Sequence, residues 1–430
     1  MRGDEGPIAQ SPAKLGFWTC WSLTVGIMIG SGIFLLPSVL APYGLLSFGG
    51  WALTAAGSIC LALVLARLAS RTHHTGGVYV YAREGFGDLT GFLIAWGYWA
   101  SYWIAIPAIT IAFVGYLTVF IPPLTDNPGW QAASALAVIW ALTLINLRGV
   151  GAAGAMQLVM TILKIIPLLA IIALGAVVGD SANLPAVNPQ DAPFVSVLAA
   201  TALLTMWAFS GMEAGAIPAG DVKNAEKTVP RAIVIGTLVV AFIYIASSYA
   251  VMRLVPAEAL AQSTAPFADA AQRFGPWGPK LIAAGALIST AGAINGTIFV
   301  AGQMPMAVAI DGLAPKVFAQ RTKSGAPALA IIIASALGSV LLLMNYTRGL
   351  VGAFSFLAMM STLAILLPLF VSAAAELKHS WKNARSWTVL ALLALVYSGF
   401  AILGSGVSIL FWGGLFMALG APVYFLVRER

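Results

Sequence analysis

The sequence predicts an all-α polytopic membrane protein with 12 transmembrane helices. Three observations predict it. Only 37 of 430 residues are charged, 22 Lys/Arg and 15 Asp/Glu, whereas a soluble domain carries about 25 % charged residues. Apolar residues make up 60 % of the chain. The uncharged runs between charges have membrane length, since about 20 residues of helix cross a hydrocarbon core. A soluble enzyme, a disordered chain and a nucleic-acid binder are excluded, because each needs charge that this chain lacks. Cys20 and Cys60 both lie in apolar stretches, so no disulfide framework is implied.

The charges divide the chain in order. Residues 1–15 form an N-terminal tail. Residues 15–66 are uncharged and have room for two spans. Residues 89–125 give one long span and 127–147 the next. The segment at about 149–179 is a span interrupted by Lys164, and that at 192–220 is one interrupted by Glu213. The gaps 232–252, 281–310, 324–347 and 349–375 give one span each, and 386–427 gives two. The domain reading is therefore five helices in 16–178, five in 192–373, and helices 11 and 12 in 386–427. A transmembrane β-barrel would instead show segments of about 10 residues with alternating polarity. The first apolar stretch is too long for a cleavable signal peptide.

Orientation follows from Lys/Arg placement. With the N-terminus inside, cytoplasmic segments hold 17 basic residues and the outer loops four: Arg253, Arg273, Lys280 and Arg348. Both termini are then cytoplasmic, and the basic excess reports topology. The outer loops at 181–192 and 254–280 read as ordinary connections.

The same division leaves Lys164 in span five and Glu213 in span six as the ionisable residues inside the membrane. Such groups are costly there and mark function by default, so this pair is the candidate for proton coupling. Two spans also carry glycines that weaken a helix. Span one contains Gly30-Ser31-Gly32, and span six contains Ser210-Gly211 followed by Gly215, Pro218 and Gly220. Unwound backbone in a bilayer survives only when buried in protein or lining a cavity. Breaks at matching places in two halves point to a transporter's binding site. Freed N–H groups at a half-helix N-terminus suit a carboxylate, and freed carbonyls suit an ammonium. A membrane enzyme or a channel is the remote alternative: the spans lack the clustered His, Asp, Glu or Cys of the first and the charged ring or filter of the second.

Several stretches, in order, resemble the amino acid–polyamine–organocation superfamily, most closely its basic amino acid/polyamine antiporter group, which includes the bacterial arginine/agmatine antiporter. They are Gly30 to Pro37, Gly76 to Arg83, Trp207 to Glu213, Val222-Lys223-Asn224 with Val229-Pro230, Ala265-Pro266-Phe267, and Asp311-Gly312-Leu313 with Pro315. The resemblance implies a five-plus-five inverted repeat with broken helices 1 and 6, the LeuT-like fold, working by alternating access in the bacterial inner membrane. It implies a small-molecule amino-acid substrate and no nucleic-acid partner, and it implies a homodimer.

The resemblance also assigns residues. The substrate carboxylate rests on backbone at Gly30, Ser31 and Gly32. The amine meets carbonyls near Ile27, Trp207 and Ala208. Trp207 and Tyr98 match opposing gate residues, and Glu213 matches a residue proposed as a proton sensor. The positions that would grip an arginine side chain fall at Ile27, Ile106, Ile109, Thr297 and Met359, largely apolar. A guanidinium would find few partners there, and burying an unpaired cation is costly. The expectation is therefore a neutral, largely apolar amino acid, with Asn295 and Ser210 softening the pocket. Amino acid/amine exchange is the alternative. Lys164 stands where sodium-coupled relatives hold their ion, with Ser289 and Thr290 as hydroxyl partners. Sodium dependence is thus not expected, no other cofactor is implied, and a proton gradient is the expected coupling.

Overall fold

The computed structural model describes residues 16–30, 32–71, 77–148, 154–212, 224–322, 325–382 and 384–428. Among them the regular structure is helical, with no strand. The helices are α1 (Phe17–Met28), α2 (Gly32–Leu40), α3 (Ser47–Arg71), α4 (Val78–Phe86), α5 (Asp88–Leu117), α6 (Pro128–Leu147), α7 (Gly154–Val178) and α8 (Phe194–Phe209). They continue as α9 (Ala225–Leu254), α10 (Ala257–Gln262), α11 (Pro266–Ala270), α12 (Gly278–Ile310), α13 (Ala328–Asn345), α14 (Gly349–Ser380), α15 (Arg385–Leu403) and α16 (Val407–Arg428). Ten segments among the described residues are long and apolar enough to cross a membrane. The first, Cys20–Arg71, runs through α1, α2 and α3, and the apolar Phe194–Phe209 is shorter. The chain is a multi-pass membrane protein.

α5 is the central element. Its sequence is apolar on all sides, and it packs most extensively against α14 and α12. A second group forms around α3, which lies on α8 and α9, while α1 lies on α9 and α7. Lipid tails are as apolar as leucine, so these contacts depend on close packing and buried hydrogen bonds. Small residues supply the first. A Cβ at Gly57 of α3 would lie 2.2 Å from the Tyr397 ring of α15. Threonines supply the second: the Thr54 and Thr205 hydroxyls share a 2.7 Å hydrogen bond between α3 and α8. The start of α6 is capped by a side chain: Asn127 accepts from the Trp130 N–H.

The helices do not stop at the charges. α3 runs on through Arg67 and Arg71, and α14 through Glu376 and Lys378. Glu376 is fully buried, although it reads in sequence as the loop charge that ends span ten. Its carboxylate lies 2.9 Å from Arg67 Nε, and Arg71 Nη1 donates to it at 2.9 Å. The Arg67 guanidinium sits 4.1 Å from the centroid of the Trp387 ring. Partners as far apart as Arg71 and Glu376, 305 residues along the chain, cannot be inferred from span counting, which is why this cluster escaped it.

The 254–280 segment is also more than a connection. Phe267 on α11 is fully buried and packs edge-on against Phe34 of α2, centroids 5.5 Å apart. Tyr116 of α5 joins the two: its hydroxyl donates to the Phe34 carbonyl at 2.7 Å and accepts the Phe267 N–H at 3.3 Å. A Cβ at Gly115 would approach the Thr264 carbonyl to 2.3 Å, so only glycine admits this approach. Asp269 accepts a hydrogen bond from Ser263. Burial pushes its carboxyl above the usual carboxylate range, and the Ser263 bond opposes the rise.

Glu376→Ala leaves two guanidinium groups facing each other without their shared anion. It is expected to cost about 3 kcal/mol, read as a lower thermal midpoint of the purified protein. Arg67→Met alone should cost less, because Arg71 still holds the carboxylate.

Candidate substrate site

α1 ends at Met28. Ile29 turns the chain (φ −74°, ψ 73°), the Gly30 N–H donates to the Met28 carbonyl at 2.7 Å, and the helix resumes at Gly32 as α2. α8 ends at Phe209, where Ser210 becomes extended (ψ 134°) and Gly211 takes φ +98°. The expected break in span one is therefore present, and α8 ends where the break in span six was expected. Two of the expected site residues, Ser31 and Glu213, lie outside the described residues, as does the Gly215 to Gly220 stretch.

The two breaks interlock. A Cβ at Gly32 would lie 3.0 Å from Trp207 Cδ1 and 3.1 Å from Ala208 Cα. A Cβ at Gly211 would lie 2.4 Å from Ile27 Cγ2. A Cβ at Gly30 would meet Ala293 of α12 at 3.3 Å. Each break thus presses a glycine on a residue of the other, and Gly211 also holds a left-handed backbone that side chains resist. This brings Ile27, Gly30, Gly32, Trp207, Ala208 and Ser210 to one region of the structure. Ile27 is 41 % exposed between buried Gly26 and Met28, so its side chain borders open space at the break.

Helix ends leave carbonyls without intrahelical partners, and here neighbouring helices supply donors. Lys164 Nζ of α7 donates to the Gly26 carbonyl at 3.2 Å. The Tyr244 hydroxyl of α9 donates to the Met28 carbonyl at 2.5 Å. The Ser289 hydroxyl of α12 donates to the Ile29 carbonyl at 3.4 Å. Lys164 is 9 % exposed and lies between α1 and α12, with Gly292 alongside. The lysine thus reaches the broken helix, as expected. The expected hydroxyl partners go elsewhere: Ser289 serves Ile29, and Thr290 donates to Ala286 within its own helix at 2.7 Å. Tyr244 was not foreseen. A tyrosine in an apolar run gives no signal of the carbonyl it will reach.

The remaining site residues divide. Trp207 is buried and meets Phe354 of α14 edge-on, centroids 6.4 Å apart. The Tyr98 hydroxyl shares a 2.8 Å hydrogen bond with Tyr102, one turn along α5. Ile106 is fully buried, with its Cβ against Gly338 of α13, and Ile109 is buried too. Thr297 donates back to Ala293 at 2.8 Å, and Met359 is half-buried on α14. Asn295 does not soften a pocket: its side-chain oxygen accepts from Asn146 of α6 at 2.8 Å, joining α12 to α6.

The amino acid permease family model matches residues 15–425. The chain belongs to the amino acid permease family. Among its relatives, the cadaverine/lysine antiporter of Escherichia coli K12 is 32 % identical over 412 residues, covering 92 % of this chain and 91 % of the relative. The putrescine transporter PotE of the same strain is 31 % identical over 425 residues, with 97 % of each covered. A putative arginine/ornithine antiporter of Bacillus subtilis strain 168 is 31 % identical over 434 residues, covering 91 % and 92 %. These relatives are transporters, and the permease described here is a transporter. They correct the emphasis of the sequence reading: an exchanger fits them better than uptake of a neutral amino acid, and they lend no specific support to symport.

Gly211→Ala should stop the two breaks from seating against each other. Forcing a side chain onto φ +98° costs about 1–3 kcal/mol, so a loss of roughly tenfold in initial transport rate is expected in liposomes, with the reconstituted amount unchanged.

Proposed function

We propose that this permease exchanges an amino acid for an amine across the bacterial inner membrane by alternating access at the paired breaks. The observation that carries the reading is the reciprocal glycine contact, Gly32 on Trp207 and Ala208, and Gly211 on Ile27. The relatives' names, which pair lysine with cadaverine and arginine with ornithine, support exchange over uptake. In this reading the chain has 12 spans in two inverted repeats of five plus two further helices, with both termini cytoplasmic.

The substrate's ammonium is assigned to the end of α1 around Ile27, and its carboxylate to the backbone from Gly30 to Gly32. An added side-chain amine needs a counter-charge when buried, and Glu213 is the acid that the sequence places in span six. Lys164 supports sodium independence: its ammonium already donates to a carbonyl of the broken helix, the work a bound cation would do. Lys164 and Glu213 are together assigned to proton coupling.

A second reading, proton-coupled uptake of a neutral amino acid, draws on the apolar Ile27 bordering the break. Ile106 faces a neighbouring helix, which removes part of the apolar wall on which that reading rests.

Liposomes loaded with lysine, arginine, ornithine, putrescine or cadaverine should each be tested against the twenty external labelled amino acids, with and without a proton gradient. Exchange predicts uptake that requires internal substrate and favours a basic amino acid or diamine. Accumulation of leucine or alanine into empty liposomes, driven by the gradient alone, would sink it. Lys164→Met should flatten the pH dependence of the exchange rate while leaving it insensitive to sodium. An unchanged pH profile would remove the lysine from coupling.

A further inference from the structure

The cytoplasmic end of α14 carries a feature that transport does not use. α14 has 32 residues and a length of about 48 Å, well beyond the roughly 30 Å hydrocarbon core. Its last turn therefore stands at headgroup level. There a cavity of about 600 Å³ opens between Phe86, Ala374, Leu377, Lys378, His379, Trp381 and Lys382. The polar groups of this lining are two lysines and a histidine, and the lining holds no acid.

Of the nearby acids, Glu84 is exposed on the last turn of α4 and is absent from the lining, and two others are committed elsewhere. Glu376 turns to Arg67 and Arg71, and Asp88 pairs with Arg83 at 2.7 Å. Lys378 is anchored at the rim: its Nζ donates to the Gly85 carbonyl at 2.9 Å and stands 5.4 Å from the Phe86 ring centroid. Two of its three N–H donors are left over from that bond. Lys382 and His379 are exposed beside it. The other walls are apolar, and Trp381 and Phe86 are 67 % and 43 % exposed, as aromatic residues are at a membrane interface.

We propose that this cavity binds the phosphate headgroup of an anionic phospholipid. Lys378 and Lys382 hold the phosphate, and the lipid's upper chain lies against Trp381, Phe86 and Leu377. The basic side selects anionic over zwitterionic headgroups. The apolar side selects a lipid over a free anion, which has no use for it. Because Lys378 also ties α14 to the end of α4, an occupied site would brace these two helices together.

The test is native mass spectrometry of the full-length protein titrated with phosphatidylglycerol or phosphatidylethanolamine. Wild type should prefer phosphatidylglycerol. Each lysine near an anionic headgroup is worth about fivefold in affinity. Lys382→Gln, whose side chain is exposed, should therefore lose roughly fivefold for phosphatidylglycerol alone. Adding Lys378→Gln should deepen the loss to more than tenfold. Lys280→Gln, an exposed lysine elsewhere, is the control and should lose nothing. Equal binding of the two lipids by wild type would overturn the proposal. So would variants that bind phosphatidylglycerol as the control does, or displacement of the lipid by millimolar inorganic phosphate, which would make this a free-anion site.

Discussion

The structure depends on the break after α1 and the end of α8 pressed against each other inside a membrane. Interrupting a helix there strands polar backbone groups, each costly without a partner. The chain meets that cost in two ways. Glycines at Gly32 and Gly211 let the breaks approach until Trp207, Ala208 and Ile27 fill the space between them. Side chains from α7, α9 and α12 then donate to the carbonyls that α1 can no longer use. The packing of α1 against α7 and α9 is part of the same solution, because those helices bring Lys164 and Tyr244 within reach.

The two ends of the molecule are closed by different chemistry. At one end Tyr116 bonds both Phe34 and Phe267, so α2 and the α10–α11 segment are held by one buried hydroxyl and an aromatic cluster. At the other end α3 and α14 are held by a carboxylate between two guanidinium groups. A neutral bond suits a junction that is fully buried. An ion pair suits one where Arg71 remains a third exposed and water still screens part of the desolvation cost. α2 and α3 both belong to the segment that opens the chain, so each closure bears on an element beside the breaks.

Much of this was legible in the sequence. Charge scarcity and span length gave the class, and the glycines at 30–32 and 210–211 gave the breaks. Lys164 stood out as a lone cation in an apolar run, and it does reach the broken helix. What was illegible shares one cause: contacts between residues far apart in the chain. Nothing local to Asn295 points to Asn146, and nothing local to Glu376 points to Arg67. Ile106 could be placed on a span but not rotated on it, since α5 is apolar on every side and periodicity carries no phase. Positions at the breaks were therefore placed next to one another by sequence, whereas a regular helix left its orientation free.

The engaged carbonyls of α1 bear on how a substrate could be held. Each carbonyl oxygen has two lone pairs. Met28 accepts from both Gly30 and Tyr244, whereas Gly26 takes Lys164 and Ile29 takes Ser289, which leaves those two carbonyls capacity for another donor. Lys164, Tyr244 and Ser289 come from three different helices, so they fix the direction of the carbonyls. An ammonium arriving at the break would meet dipoles already oriented, which lowers the ordering cost that binding must otherwise bear. The same arrangement places the fixed ammonium of Lys164 one residue from Ile27, where it raises the local positive potential. A cationic substrate then needs a compensating anion nearby, and the sequence places Glu213 just beyond the break in α8. In the exchange reading proposed above, Glu213 is the acid assigned to that role, so a change in its protonation would alter how well the site holds a positive charge.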